Sequence, residues 1–341
     1  MKGDTGRALT ARPDCGASLI ETLVAFSLTV AVSAAAFFLF VLHQRLARAQ
    51  LETASLLQAQ QAAHLELRRA LRAAGRGGLA YQLPGQTPRP ELAVEVEKHV
   101  RAGHAVGSRT AAEGTDVLVV RGVMNGPLYW VDEYGFDPAA RRGWIVVHAR
   151  TPYASAQSLE MLRQAGEAGD DALLLVSGDT PGVHAVVPIV DVAASGRGRH
   201  RRLRVEFHAD ASRGPLAAGF LSMSSGGSWP AGYMSRVDRG GVLEEWRFYI
   251  RPPDPESPRG PQLAMARLYP GTAVAWRRRS ANLTQVIADG IADLEVALRE
   301  TGEDGGPSVT LLTTARIGEP AAAALRVERS AAALVQLRNL R

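Results

Sequence analysis

Between residues 17 and 42 the chain reads ASLIETLVAFSLTVAVSAAAFFLFVL, an apolar run with one ionisable side chain, Glu21. A helix rises about 1.5 Å per residue, so about 20 such residues cross the apolar core of a bilayer, and this run is long enough. It exceeds the roughly 7–15-residue apolar core of an ordinary secretory signal, and no small-residue cleavage site follows it. After Leu42 the pattern changes to a three-four repeat. Leu42, Leu46, Ala49, Leu56, Ala63, Leu67, Ala70 and Ala74 share one stripe, which Thr53 and Gln60 interrupt, while Arg45, Arg48, Glu52, Glu66, Arg68 and Arg69 fall mainly off it. No Pro or Gly occurs between Ala17 and Gly75, and Gly75, Gly77 and Gly78 supply a stop signal. These positions predict one helix from Ser18 to Ala74, on the order of 85 Å long.

From about Tyr81 the pattern becomes short apolar or alternating runs punctuated by turn residues. Strands are expected at 116–121, 144–149, 172–176, 185–192, 203–208, 243–251, 263–269 and 294–298, with long surface loops at 222–232 and 252–261. No tandem repeat of fixed period stands out. The fold class expected is α+β, a long N-terminal helix packed on a large β-rich globular head. Its parts are a polar segment at 1–16, an apolar helix at 17–42 long enough to be transmembrane, an amphipathic continuation at 43–75 and the head at 76–341.

Composition narrows this picture only at two points. The formal charge of +5 comes almost wholly from arginine, since Lys2 and Lys98 are the only lysines, and so it says little about a nucleic-acid partner. The single cysteine, Cys15, precedes the apolar run. That excludes an internal disulfide and a thiolate metal cluster in the head, and it puts the cysteine on the wrong side for a lipoprotein signal.

Glu21 is the most informative polar residue. A carboxylate at mid-bilayer costs about 2.5–3.5 kcal/mol on insertion scales and persists where it has a partner. The junction before it, Cys15-Gly16-Ala17-Ser18-Leu19-Ile20-Glu21, joins a polar leader carrying Lys2, Arg7 and Arg12 to the apolar run through a glycine. This stretch resembles the class III signal of type IV prepilins and type II secretion pseudopilins. The resemblance implies cleavage after Gly16 by prepilin peptidase on the cytoplasmic side, N-methylation of the new terminus at Ala17, and docking of the subunit into a filament through Glu21. Ala17 departs from the family pattern, where phenylalanine or methionine is commoner. Shorter signatures resemble those of PilW-like minor pilins: Leu71-Arg-Ala-Ala-Gly75 as a helix ending, Gly114-Thr-Asp-Val-Leu-Val-Val-Arg121 as a first strand, and Glu245-Trp-Arg-Phe-Tyr-Ile-Arg251 with Leu263-Ala-Met-Ala-Arg267 as a paired hairpin. The segment 286–296 resembles one in which a short helical turn leads into a late strand. Residues 132–236 match none of these.

Candidate chemistry elsewhere is thin. The eight histidines form no ligand pattern, and His99 and His104 read as surface residues. Ser222–Ser228 has neither the spacing nor the setting of a nucleophile loop. Asp170-Asp171 and Glu303-Asp304 read as solvated turns, although some resembling pilins bind calcium; the twelve-residue calcium loop is absent. Arg197, Arg199, His200, Arg201, Arg202 and Arg204 form one basic cluster and Arg277, Arg278 and Arg279 another. Arg199, Arg201, Arg202 and Arg204 are the candidates for nucleic-acid contact, weighed against a solvated hairpin; no aromatic is interleaved in either cluster to stack on bases.

No catalytic residue, metal site or cofactor is expected. The resemblance implies a minor pilin that helps initiate or cap type IV pilus assembly, with roles in adhesion or motility. Its partners would be prepilin peptidase, other major and minor pilins through the N-terminal helix, and the inner-membrane assembly platform, with DNA a weaker candidate. It would wait as a single-pass inner-membrane protein, N-terminus in the cytoplasm and head in the periplasm, before entering the filament. A minor pseudopilin of a type II secretion system is the alternative within the family. A signal-anchored membrane enzyme or binding module, uncut and indifferent to Glu21, is the alternative outside it.

Overall fold

The structure is a computed structural model describing residues 18–79, 92–124, 126, 128–148, 173–178, 183–195, 202–210, 212, 237–253, 260–268, 284–299, 308–317 and 327–337. The chain divides into two compact units, Met1–Ala54 and Ser55–Arg341. One helix, α1 (Leu19–Ala73), runs unbroken across this division and is the only helix among the described residues. Its ends agree with the expected ones to a residue. Gly75 has a φ of 70°, a left-handed conformation that glycine adopts without a Cβ penalty, and its N–H donates to the Arg121 carbonyl at 3.0 Å.

In the second unit the described strands are β1 (Val94–Glu97), β2 (Ala105–Val106), β3 (Arg109–Thr110), β4 (Val117–Gly122), β5 (Tyr129–Asp137), β6 (Arg142–His148), β7 (Leu173–Ser177), β8 (His184–Ser195), β9 (Arg202–His208), β10 (Arg239–Val242), β11 (Glu244–Arg251), β12 (Gln262–Leu268), β13 (Thr284–Asp289), β14 (Ile291–Arg299), β15 (Ser308–Ile317) and β16 (Val327–Gln336). All eight expected strands are present, their ends shifted by at most three residues. The hairpin expected from 245–251 and 263–267 is the β11–β12 pair. The helical turn expected within 286–296 is not: β13 passes directly into β14 through Gly290, whose φ of 76° lets the chain bend from one sheet into the next without a turn of helix. The loop at 222–232 and most of 252–261 lie outside the described residues.

The strands form three main layers. An antiparallel five-stranded sheet has the order β1-β4-β11-β12-β13, a three-stranded sheet the order β14-β15-β16, and β10-β5-β6-β9-β8-β7 close into a barrel; β2 and β3 pair alone. Strand alternation puts Leu118, Val120, Trp246, Phe248 and Ile250 on one face of the five-stranded sheet, in one core with Leu294, Val296, Leu311, Ala333 and Val335 of the three-stranded sheet. The helix enters this core through Leu56, Ala63, Leu67 and Ala70 of the stripe read from the sequence, and through Leu71 beside it. The opposite face of the five-stranded sheet carries Val117, Val119 and Tyr249, packed with Val100, Val106 and Ala111. The barrel has its own interior, filled by Tyr129, Ile145, Val176, Val187, Val205 and Phe207 among others.

Two polar ties fix how these layers meet. Gln60, an interruption of the apolar stripe in the sequence, is only 3% exposed. Its side-chain N–H group donates to the carbonyls of Thr313 (3.3 Å) on β15 and Arg329 (2.7 Å) on β16, and His64 one turn later meets the Thr313 hydroxyl at 2.9 Å. With Leu56, Ala63, Leu67, Ala70 and Ala74, Gln60 completes an unbroken 4-3-4-3-4 spacing. A lone polar residue in such a seam specifies register at a cost in stability.

The second tie is Asp116, whose side chain is fully buried. Its carboxylate accepts from the Lys98 ammonium (2.7 Å), the His99 N–H (3.1 Å) and the Val296 N–H (2.8 Å), and its own N–H donates to the Leu294 carbonyl (3.0 Å). The residue therefore joins the loop before β4 to β14. Burial alone would raise its pKa, but the hydrogen bonds from Lys98, Val296 and His99 and the Lys98 charge outweigh that and hold it below the ordinary value. Glu245 shows the same balance, buried but held low by Arg121 and Arg247, which it meets at 2.5 and 2.6 Å.

Two outcomes follow. Gln60→Leu removes the only side-chain donor to the Thr313 and Arg329 carbonyls among the hydrogen bonds described above; disulfide trapping between cysteines placed on α1 and β15 will then capture more than one helix register, where the parent gives one. Asp116→Asn will cost about 3 kcal/mol at neutral pH, because it leaves buried donors badly matched. A depressed folded-state pKa contributes stability above the unfolded value of about 3.9 that is lost as pH falls through the folded value. Thermal melts should therefore show the gap between parent and variant closing below about pH 4.

Candidate functional site

The described part of the first unit is one helix segment whose apolar side chains are largely exposed. Leu19 is 81% exposed, Phe26 71%, and Ile20, Leu23, Phe37, Phe38 and Leu39 are all exposed. This is the stretch long and apolar enough to cross a membrane, and none of it is buried in the molecule. A soluble monomer rarely exposes a contiguous apolar surface of more than a few hundred Å², so this one fits a membrane anchor or a signal sequence.

Its polar groups suit such a medium. The Thr22 hydroxyl donates to the Leu19 carbonyl at 2.9 Å, Ser27 to Val24 at 2.9 Å and Thr29 to Ala25 at 2.7 Å, so these hydroxyls are satisfied within their own helix. Ser27, Ala31 and Ala35, four residues apart, form a narrow small-residue line on one face. Past Leu42 the exposed Arg45 and Arg48 mark a return to polar surroundings.

At the start of the helix the Ser18 N–H donates to the Glu21 carboxylate at 3.0 Å, while the Ile20 N–H donates to the Ser18 hydroxyl at 3.3 Å. This is a capping box, in which Ser18 and Glu21 each satisfy a donor that the first turn would leave bare. The sequence Ser-x-x-Glu is its local signature. Glu21 thus has one partner within its own helix, and its second oxygen is exposed with the rest of the side chain. Gly16 and Ala17, the expected cleavage junction, lie outside the described residues, as does Cys15.

Of the basic cluster, Arg199 and Arg201 lie outside the described residues, as do Arg277, Arg278 and Arg279. Arg202 and Arg204 stand on β9 and face carboxylates: Arg202 meets Glu133 at 3.1 Å and Arg204 meets Glu206 at 3.0 Å. Arg204 also stacks on the Trp144 ring at 4.4 Å, and Arg239 stacks on the half-exposed Trp130 at 4.8 Å. Sequence reasoning found no aromatic among these arginines because Trp144 arrives from β6, opposite Gly135, whose missing side chain leaves room for the indole. These two arginines are engaged with carboxylates, which lowers the positive field available to a phosphate.

Among the described residues no group of three His, Cys, Asp or Glu side chains comes together to hold a metal. His99 is exposed and bonded to the Gly114 carbonyl, and His104 pairs with Glu97 at 2.6 Å. Within the second unit a groove of about 620 Å³ runs between the helix at Leu56, Ala59 and Ala62 and the strand at Val286, Ile287 and Ala288. It is open, and its apolar lining is interrupted by the polar Ser55, Gln58 and Asp289.

The cap gives a direct test. Glu21→Ala will fray the first turn, costing about 1 kcal/mol locally, whereas Glu21→Gln will retain it, since either residue closes a capping box; amide exchange at Ser18 and Ile20 in micelles reads the difference. Comparison with protein-family models, with curated proteins and with solved structures finds no match to this chain.

Proposed function

We propose that the chain is a minor pilin-like structural subunit, processed after Gly16 by prepilin peptidase and built into a filament by its N-terminal helix. One observation carries the reading: an exposed apolar helix segment with a carboxylate in its first turn continues without a break into a helix stretch buried in a β-rich domain. A membrane anchor needs the apolar segment alone. A subunit that waits in lipid and is later withdrawn into a bundle of like helices also needs a continuous connection to its head and a polar handle near the end of the helix.

On this reading the apolar surface from Leu19 to Leu42 passes from lipid to neighbouring helices. The hydrophobic driving force changes little in that exchange, so close packing along small residues and pairing of the one charge select the position. Cleavage after Gly16 creates an ammonium at Ala17, and the free oxygen of Glu21 would receive such an amine from a neighbouring subunit while its other oxygen keeps the cap. The partners are prepilin peptidase, other pilins and the inner-membrane assembly platform, with the head in the periplasm. The size of the head favours a subunit that starts or caps a type IV pilus. A type II secretion pseudopilus is the other filament of this kind.

The competing reading is a signal-anchored domain, and the capping box favours it by giving Glu21 a purpose that requires no partner. Two measurements separate them. N-terminal mass analysis of the protein from its native membrane is expected to show a methylated terminus at Ala17 that depends on prepilin peptidase; an intact Met1 with and without the enzyme rejects the proposal. Glu21→Gln keeps the cap but removes the charge, so filament incorporation should fall at least about tenfold, roughly 1.4 kcal/mol. Unchanged incorporation would leave Glu21 as a cap alone.

A further inference from the structure

The connection between β4 and β11 is topologically unusual. These strands are antiparallel neighbours in the five-stranded sheet, and Gly122 at the end of one pairs with Glu244 at the start of the other. Antiparallel neighbours paired this way are ordinarily joined by a turn of two to five residues. Here the whole barrel, β5 to β10, stands in place of that turn.

The barrel closes with its own ends. β5, its first strand, pairs with β10, its last, through Trp130–Arg239 and Tyr129–Gly240, and β10 pairs in turn with β7. Entry and exit therefore lie side by side, the arrangement that lets a domain sit inside another without distorting it. Every barrel strand finds both its neighbours within the barrel, so none contributes a ladder to the five-stranded or three-stranded sheet. Its interior is a separate core of Tyr129, Ile145, Val147, Leu174, Val176, Val187, Leu203, Val205 and Phe207.

The seam with the rest of the unit is narrow. β7 is buried on both faces: Leu174 and Val176 point into the barrel, while Leu173 and Leu175 belong to the core that contains Leu79, Val123 and the helix. Val186 joins Leu173 and Leu175 on that outer side. A backbone bond from Leu243 to the Leu173 carbonyl at 2.9 Å stitches the junction. On the helix, Gln60 and His64 bond to β15 and β16.

We propose that the barrel is a domain inserted into the β4–β11 turn of the helix-bearing body, and that it opens and closes as its own cooperative unit. The body then keeps the helix on its sheets whatever the state of the barrel, and the barrel wall, with its Trp130–Arg239 and Trp144–Arg204 stacks, varies independently of helix docking. The inference does not depend on which filament or membrane receives the helix.

Native-state hydrogen exchange on the full chain in micelles, read by mass spectrometry, tests it with two mild core truncations. Val205→Ala, in the barrel interior, is expected to speed amide exchange in β6, β8 and β9 at least about tenfold and leave β4, β11 and β12 within about twofold of the parent. Leu118→Ala, in the body core, is expected to do the reverse. If either variant speeds both sets alike, or if Val205→Ala unfolds the whole chain, the barrel and body are one unit and the proposal is overturned.

Discussion

One helix has to satisfy two solvents. Along α1 the requirement changes from apolar on every side, as in a segment that can anchor in a membrane, to apolar on one stripe, where the surroundings are the chain's own sheets. A helix can make that change without a break because its backbone is satisfied internally throughout, and only the side chains have to know which medium they are in. The residues divide accordingly. Hydroxyls in the first stretch bond back to their own turns, and the ionisable groups resume at Arg45 and Arg48. The stripe through Leu56, Ala63, Leu67 and Ala70 then buries against two sheets at once.

The alanines on that stripe bring the helix backbone close to the strands, but a smooth surface of small side chains does little to fix position. Position comes from a few buried polar contacts. Gln60 reaches two strands of the three-stranded sheet, and Asp116 fastens the same sheet to the loop ahead of β4. Arg121 and Glu245 cross between neighbouring strands β4 and β11 on the far face of the five-stranded sheet. Such pairs add modest net stability, since burial offsets much of their attraction, yet removing one partner is costly. They act as locating pins in a core that hydrophobic burial assembles.

What could be read in advance follows from the range of the interactions involved. The helix was legible to a residue because its signals, periodicity and the glycine stop, are local. Strands with strong apolar runs, such as 172–176, were legible for the same reason. β5, whose aromatic positions are interrupted by Asp132, Glu133 and Gly135, and β16, with three successive alanines, were missed because their strand character is completed by neighbours distant in sequence. Barrel closure depends on β5 meeting β10 more than a hundred residues later, which no local pattern reports; residues 132–236, which matched nothing in the sequence comparison by motif, are most of that barrel. At the candidate site the exposed carboxylate and apolar run were plain, whereas the cap made by Ser18 and Glu21 was overlooked although its four-residue signature is local. The Arg204–Trp144 stack was invisible because three strands meet to make it.

The outer strand of the small sheet carries a consequence for handling the protein. The barrel has no edge, β1 carries Glu95 and Glu97, and β13 is short and irregular where it meets β12. β16 has none of these protections: it pairs with β15 in an uninterrupted register, and from Ser330 to Gln336 it holds no charge, no proline and an exposed Leu334. Long uncharged edges are templates for indiscriminate pairing between chains. Among the described strand edges of the head, pairing between chains therefore has one preferred starting place, and a lysine at the exposed Leu334 is the substitution that would blunt it.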